Sequence, residues 1–300
     1  MKTNLLNAFL FSGLAFFYSC SSGNNAEETN TDTSKIISQE EKKTHAEIVM
    51  YNIPSPVETS QLLLDAGAKY DGGLTNKAEN YKQYKSSEAQ AVNLGVHGSD
   101  LSFAGVFQNA QECMSFMKSI NSLCGELGIS GAFNENTAER IDKNKNNKDS
   151  VLDIISKSFW EADGYLKENN RSNISSLLIT GGWIEGMYIA SKVYDKTKSE
   201  KIKNRIICAP QANALKSLIA MLEGEKFNTD AATSVISGLK NLNSVFEKIP
   251  SAKTETKAVT DKEKHETKLE TKSDIKVSDE VLNDILKNVV SLRNSIIALK

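Results

Sequence analysis

One stretch of the chain, Ser176 to Tyr194, is apolar on almost every face of the helix that it predicts. From Leu177 to Ala190 it carries a single formal charge, on Glu185. A helix that is hydrophobic all round belongs at the centre of a bundle or in a membrane. A membrane span needs about 20 largely uncharged residues. We therefore expect this segment to be the central helix of a helical domain.

Small residues recur at every fourth position along one edge of this helix, at Gly182, Gly186 and Ala190. A glycine inside a helix costs up to about 1 kcal/mol relative to alanine. Such a cost is tolerable where another helix crosses closely, or where a ligand needs the room. The pattern leaves both interpretations open. A second glycine-rich apolar helix is predicted over 91–108, and we expect the two helices to cross closely.

Elsewhere, apolar residues recur with the three- and four-residue spacing of amphipathic helices, and strand signals are almost absent. Ser55, Pro56 and Glu58 form the pattern of a capped helix start. Pro210 interrupts a helical pattern and predicts a kink or a break there. We predict an all-α fold, with a multi-helix bundle over residues 51–249.

After this bundle the chain changes character twice. Residues 250–277 are a mixed-charge segment without aromatic side chains, which is typical of a disordered linker. Residues 278–300 predict an amphipathic helix whose apolar positions alternate steps of three and four, as in a coiled coil. Those positions are Leu282, Ile285, Val289, Leu292, Ile296 and Leu299. Docking on the bundle and pairing with another copy or a partner are equally compatible with this pattern.

The N-terminus has the pattern of a bacterial secretory signal over residues 1–19. Lys2 precedes an apolar run from Leu5 to Tyr18, and Cys20 follows directly after a small residue. A cysteine at this junction resembles a lipoprotein signal, in which the cysteine is acylated and becomes the mature N-terminus. We predict lipidation of Cys20 and a membrane anchor rather than a membrane span.

Phe17 and Tyr18 depart from the usual residues before the cysteine, which leaves an ordinary secretory cleavage open. Residues 20–50 predict a lipidated tether with a short helix. Ser21, directly after the cysteine, resembles lipoprotein cargo that is forwarded to the outer membrane. The acidic residues of the tether come late, which favours the periplasmic face of that membrane.

Composition narrows the classes of function. The formal net charge of −2 over 300 residues gives no argument for nucleic-acid binding. The three histidines, His45, His97 and His265, lie in unrelated segments, so no metal site is predicted. The pair Gly181-Gly182 does not follow a strand, as a dinucleotide-binding loop requires, and no cofactor is predicted.

Six residues of the two apolar helices are the candidate ligand or polar-core residues. They are Asn93, His97, Asp100, Trp183, Glu185 and Tyr188. We hypothesise that the helix crossing brings His97, Asp100 and Glu185 into one buried polar cluster. Such a cluster can perform acid–base chemistry or hold a small ligand. It can equally be a polar network that fixes the register of the helices.

Three stretches of the chain are distinctive. They are Tyr51-Asn52-Ile53-Pro54-Ser55-Pro56-x-Glu58, Asn93-Leu94-Gly95-Val96-x-Gly98-x-Asp100-Leu101-Ser102 and Gly181-Gly182-Trp183-Ile184-Glu185-Gly186-Met187-Tyr188. Together they resemble an uncharacterised family of helical lipoproteins in Bacteroidota-type bacteria, over roughly Tyr51 to Ile249. The resemblance implies no activity, substrate or functional residue.

The sequence therefore predicts a lipid-anchored protein of the cell envelope, on the periplasmic face of the outer membrane. We expect it to act as a helical binding module for an envelope protein or a small ligand. One alternative is an enzyme that uses Glu185 and Asp100 as acid and base, although no recognisable catalytic set is present. The other is a structural envelope protein that self-associates through residues 278–300.

Overall fold

The computed structural model describes residues 53–133, 136–227, 229–250, 253–261, 266–274 and 276–300. The predicted signal peptide, 1–19, and the tether, 20–50, lie outside these residues. The described part of the chain confirms the all-α bundle and contains ten α-helices. They are α1 Pro56–Asp65, α2 Ser87–Val106, α3 Ala110–Glu126, α4 Thr137–Lys143, α5 Lys148–Glu168, α6 Ser172–Thr197, α7 Glu200–Ile207, α8 Ala209–Gly224, α9 Asp230–Phe246 and α10 Asp279–Ile297. Short 3-10 helices lie at Gly72–Leu74, Ala78–Gln83 and Ser130–Ala132.

Helices α2 and α6 form the centre of the bundle. Every residue of α2 from Ala89 to Val106 is buried. In α6 the side chains between Ile174 and Val193 are buried with few exceptions. The remaining helices pack around this pair, which explains why both central helices lack the polar face of an amphipathic helix.

The two central helices touch backbone to backbone at Gly95 and Gly181. A Cβ atom added at Gly95 would overlap the carbonyl oxygen of Leu178, and one at Gly181 would overlap the carbonyl oxygen of Val92. The closest approach is therefore not along the edge that the sequence pattern emphasised. A Cβ at Gly186 would lie 3.5 Å from its nearest neighbour, which is ordinary van der Waals contact.

Local signals at two prolines have the predicted consequences. At the start of α1, the Ser55 N–H donates to Glu58 Oε2 at 2.9 Å, and the Glu58 N–H donates to Ser55 Oγ at 3.2 Å. This is the reciprocal capping box expected before Pro56. Pro210 breaks the helical stretch as predicted, because α7 ends at Ile207 and α8 begins at Ala209.

Two paired strands lie within the segment 250–277, whose prediction as a linker stays a prediction. Strand β1, Lys253–Asp261, pairs antiparallel with β2, Glu266–Asp274. The register pairs Glu255 with Lys272 and Lys257 with Glu270.

The C-terminal helix α10 docks on the bundle, which was one of the two alternatives for residues 278–300. It packs against α9, α6 and α2. Its buried residues are Leu282, Ile285, Leu286, Val289, Leu292, Arg293 and Ile296. A Cβ at Gly238 of α9 would lie 2.5 Å from Leu292 Cδ1, so the absence of a side chain at Gly238 lets α10 approach α9.

Candidate functional site

The centre of the bundle holds a buried ion pair between α6 and α10. Arg293 Nε donates to Glu185 Oε2 at 2.8 Å, and Arg293 Nη2 donates to Glu185 Oε1 at 2.9 Å. The side chain of Glu185 is fully buried and that of Arg293 is 7% exposed. A bidentate arginine–carboxylate pair has the geometry that best compensates for removing both charges from water.

Asp100 of α2 adjoins this ion pair. Burial raises its pKa well above the ordinary value, and the negative charge of Glu185 raises it further. The contact between the two carboxyl groups raises the pKa of Asp100 and lowers that of Glu185, so a proton held by the pair favours Asp100. Asp100 Oδ2 also accepts from the Asn76 N–H at 3.2 Å.

The pKa of Glu185 is pulled in two directions. Burial raises it, whereas the charge and hydrogen bonds of Arg293 and the hydrogen bond from Asp100 oppose that rise. Burial alone would lower the pKa of Arg293, but Glu185 and Asp100 together raise it. The ion pair of Arg293 and Glu185 thus joins one positive and one negative charge.

His97 lies beside Asp100 and is uncharged. Its Nδ1 is 4.0 Å from Asp100 Oδ2, beyond hydrogen-bonding distance. Burial, with a smaller contribution from Arg293, lowers its pKa to about 3. The ring packs between Tyr84 and Phe116, with centroid distances of 6.4 and 6.0 Å. The imidazole is thus a neutral part of an aromatic core.

The other three candidates occupy different places. Tyr188 lies under Arg293, whose guanidinium carbon is 4.3 Å from the ring centroid, a cation–π contact. Asn93 Nδ2 donates to the carbonyl oxygens of Ala89 and Ile296, each at 2.9 Å, and so ties α2 to α10. Trp183 points elsewhere, and its Nε1 donates to Gln211 of α8 at 2.8 Å.

Arg293 is the residue of this site that sequence reasoning missed. The sequence shows Asp100 and Glu185 in apolar helices and does not indicate which positively charged side chain would pair with them. The signal was present in α10, because Arg293 follows Val289 by four residues and precedes Ile296 by three. That spacing puts a cation on the buried face of an amphipathic helix, and a buried cation needs an anion.

The polar cluster is closed to solvent. Asp100, Glu185 and His97 have no exposed surface. None of these residues lines the cavities identified in the described part of the chain. A substrate has no route to these groups in this conformation, so the arrangement favours a polar network that fixes helix register over an acid–base site.

An apolar groove of about 470 Å³ lies on another side of the helix crossing. The start of α1 covers it at one end, and α2, α5 and α6 supply its walls. Its apolar lining residues include Ile53, Pro54, Pro56, Val57, Phe159, Trp160, Leu178, Ile179 and Trp183. Trp160, at its rim, is 56% exposed, which is unusual for so large an apolar side chain.

Several polar groups of the groove are already engaged within the protein. Ser102 Oγ donates to the Gly98 carbonyl at 2.9 Å. Asp163 accepts from the Ser175 hydroxyl and pairs with Lys167. Gly95 and Gly182 form part of the floor. The groove thus presents mainly apolar surface, with a volume inside the range of about 300–1,000 Å³ of small-molecule sites.

The described residues were also compared with the requirements of a metal site and of a membrane span. Within the described ranges, no three His, Cys, Asp or Glu side chains are placed to hold a metal ion. None of the described helices combines the length and apolar character that a membrane crossing requires.

Searches against protein-family models, curated proteins and solved structures gave no match. The resemblance to Bacteroidota-type lipoproteins stays a prediction.

Proposed function

We propose that this protein is a lipid-anchored protein of the cell envelope that binds a small apolar ligand in the groove between α1, α2, α5 and α6. The observation that supports this proposal is the groove itself, with an exposed tryptophan at its rim and glycine backbone on its floor. Anchoring through Cys20 and a position on the periplasmic face of the outer membrane complete the proposal. They derive from the signal pattern, from Ser21 after the cysteine and from the late acidic residues of the tether.

The structure argues against the two alternative functions. An acid–base enzyme needs a substrate beside Asp100 and Glu185, yet both carboxyl groups are sealed inside the bundle. Self-association through 278–300 needs a free apolar face, yet α10 places that face against α9, α6 and α2. Ligand binding in the groove requires neither an opening of the polar cluster nor a free face on α10.

The two tryptophans of the chain, Trp160 and Trp183, both line the groove and report on its occupancy. Titration with decanol, a neutral apolar ligand, is expected to give a saturable change in tryptophan emission. Replacement of Ser156 by Phe fills the groove from the wall formed by α5, and we expect it to weaken decanol binding by about tenfold or more. Fluorescence titration of both proteins measures the effect.

Lys157 provides the matched control, because it follows Ser156 on the same helix but its side chain lies in solvent. Lys157→Phe adds the same ring outside the groove and is expected to leave decanol binding unchanged. An emission change that does not saturate in the wild type, or that is equal in Ser156→Phe, contradicts binding in the groove.

Anchoring is tested by changing Cys20 to Ser. The hydroxyl cannot take the thioether-linked lipid, so the variant is expected to leave the membrane fraction and to lose labelling by a radioactive fatty acid. Fractionation of cells, with detergent-phase partitioning of the extracted protein, measures this change. A wild-type protein that stays in the aqueous phase and takes up no label contradicts the anchor and indicates ordinary secretion.

A further inference from the structure

A second cavity, of about 630 Å³, adjoins the apolar groove. Four residues around the start of α1 line both cavities: Ile53, Pro54, Val57 and Glu58. On α5, Leu152 of the second cavity precedes Ser156 of the groove by one helical turn. Pro210 of the second cavity is followed by Gln211, which holds the Trp183 ring of the groove. The two cavities are therefore neighbours around the start of α1, and together they are called the depression below.

Arg205 of α7 brings a positive charge to the second cavity. Its Nε is buried and has no hydrogen-bond partner. A buried donor without an acceptor is unfavourable, and an arginine donor especially so. Because Arg205 also lines the cavity, an anion bound there would lie beside its guanidinium and offset the unpaired charge.

The two acids of the second cavity are occupied elsewhere. Glu58 Oε2 accepts from the Ser55 N–H in the capping box of α1. Asp65 Oδ1 accepts from Gln61 Nε2 at 2.8 Å. Each carboxylate thus has a hydrogen-bond donor within the protein, whereas Arg205 Nε has no acceptor, and all three charged side chains line the same cavity.

We infer that the depression binds a single-chain carboxylate of the fatty-acid type, with its chain in the apolar groove and its carboxylate on Arg205. This inference rests on the proposed function, because it assigns the ligand class for the same groove. The apolar groove has room for one alkyl chain and offers it few polar groups. A carboxylate matches the forked donors of a guanidinium.

The head group is a monoanion rather than a dianion. Glu58 and Asp65 add two negative charges to the wall that holds Arg205. At neutral pH a phosphate monoester carries nearly two negative charges, whereas a fatty acid carries one. Glu58 and Asp65 therefore repel the phosphate monoester more strongly. The site therefore distinguishes a fatty acid from a phosphorylated lipid of equal chain length.

The test compares three ligands of one chain length, decanoate, decanol and decyl phosphate, at neutral pH and below their micelle-forming concentrations. Tryptophan emission of the full chain is the readout. In the wild type, decanoate is expected to bind at least about tenfold more tightly than decanol, as for a charge-assisted hydrogen bond. Decyl phosphate is expected to bind more weakly than decanoate.

Arg205→Gln removes the charge, and in this variant decanoate should bind no more tightly than decanol. Unchanged decanol binding shows that the groove is still folded. Lys201→Gln, on the exposed side of α7, removes the same charge and should preserve the preference for decanoate. Three results would overturn the inference: equal affinities for decanoate and decanol in the wild type, a preference for decanoate that survives Arg205→Gln, or tighter binding of decyl phosphate. In each case the groove remains a binding site. Failure of all three ligands overturns the proposed function as well.

Discussion

Replacement of Arg293 by Met should lower the free energy of unfolding by about 3–5 kcal/mol, the range found when one partner of a buried ion pair is removed. Methionine preserves much of the apolar volume of the arginine side chain but leaves Glu185 charged, buried and without its two donors. Because α10 brings the only positive charge of the cluster described here, no neighbour takes its place. Urea denaturation followed by circular dichroism measures the loss.

The same variant has a defined pH dependence. Without Arg293, burial raises the pKa of Glu185 further, so the folded protein binds a proton that the unfolded chain releases near the ordinary glutamate value of about 4.5. A raised pKa in the folded state gives stability at low pH that is lost as the pH rises. The deficit of Arg293→Met should therefore be smallest in acid and should grow toward neutral pH.

Two further variants identify the ion pair as the cause. Glu185→Gln combined with Arg293→Met removes both charges and leaves an oxygen that accepts from Asp100, so we expect it to recover most of the loss. Lys240→Met breaks an exposed pair with Glu223 and should cost no more than about 1 kcal/mol. A deficit for Arg293→Met no larger than that of Lys240→Met contradicts a structural role for the buried pair.

The sequence predicts the helical framework because burial leaves a local trace. A helix that is apolar all round, such as α6, is enclosed by other helices when it lies outside a membrane. The cap at Ser55 and the break at Pro210 are equally local, because each depends on neighbouring residues alone. The β-hairpin leaves a weaker trace, since paired strands of mixed charge need no apolar stripe.

The candidate site is less visible in the sequence because its parts lie far apart along the chain. Glu185 and Arg293 are separated by 108 residues, and only the packing of α10 brings them together. An apolar groove is harder still to predict, because its residues follow the same spacing as a closed core. Trp183 illustrates this limit: its position on α6 indicates burial and does not reveal that one side of the ring borders a cavity.

The glycine edge of α6 shows how a correct pattern can emphasise the wrong residue. Gly182, Gly186 and Ala190 share a face, but Gly181, one position away, meets the backbone of α2 at Val92. A periodicity indicates which residues share a face and does not indicate how close the facing helix comes. The distance depends on where the two axes cross, which is a property of the whole bundle.

Gly181→Ala is therefore expected to lower the free energy of unfolding by about 3 kcal/mol or more, at or above the upper end for overpacking of a core. The new methyl group would overlap the carbonyl oxygen of Val92, which is backbone and cannot turn away as a side chain does. Relief requires the central helices to move apart, and their separation also sets the contact between Asp100 and Glu185. Guanidinium denaturation measures the loss.

Gly186→Ala is the matched control, because it adds the same methyl group on the same buried helix. There the nearest atoms belong to the Thr59 and Ser99 side chains, at 3.5 and 3.7 Å, so no neighbour has to move. Alanine also favours the helix over glycine, and this variant should gain up to about 1 kcal/mol. Equal losses at the two positions would show that tight packing extends along the whole edge. The opposite signs expected here instead place the closest contact at the crossing of Gly95 and Gly181.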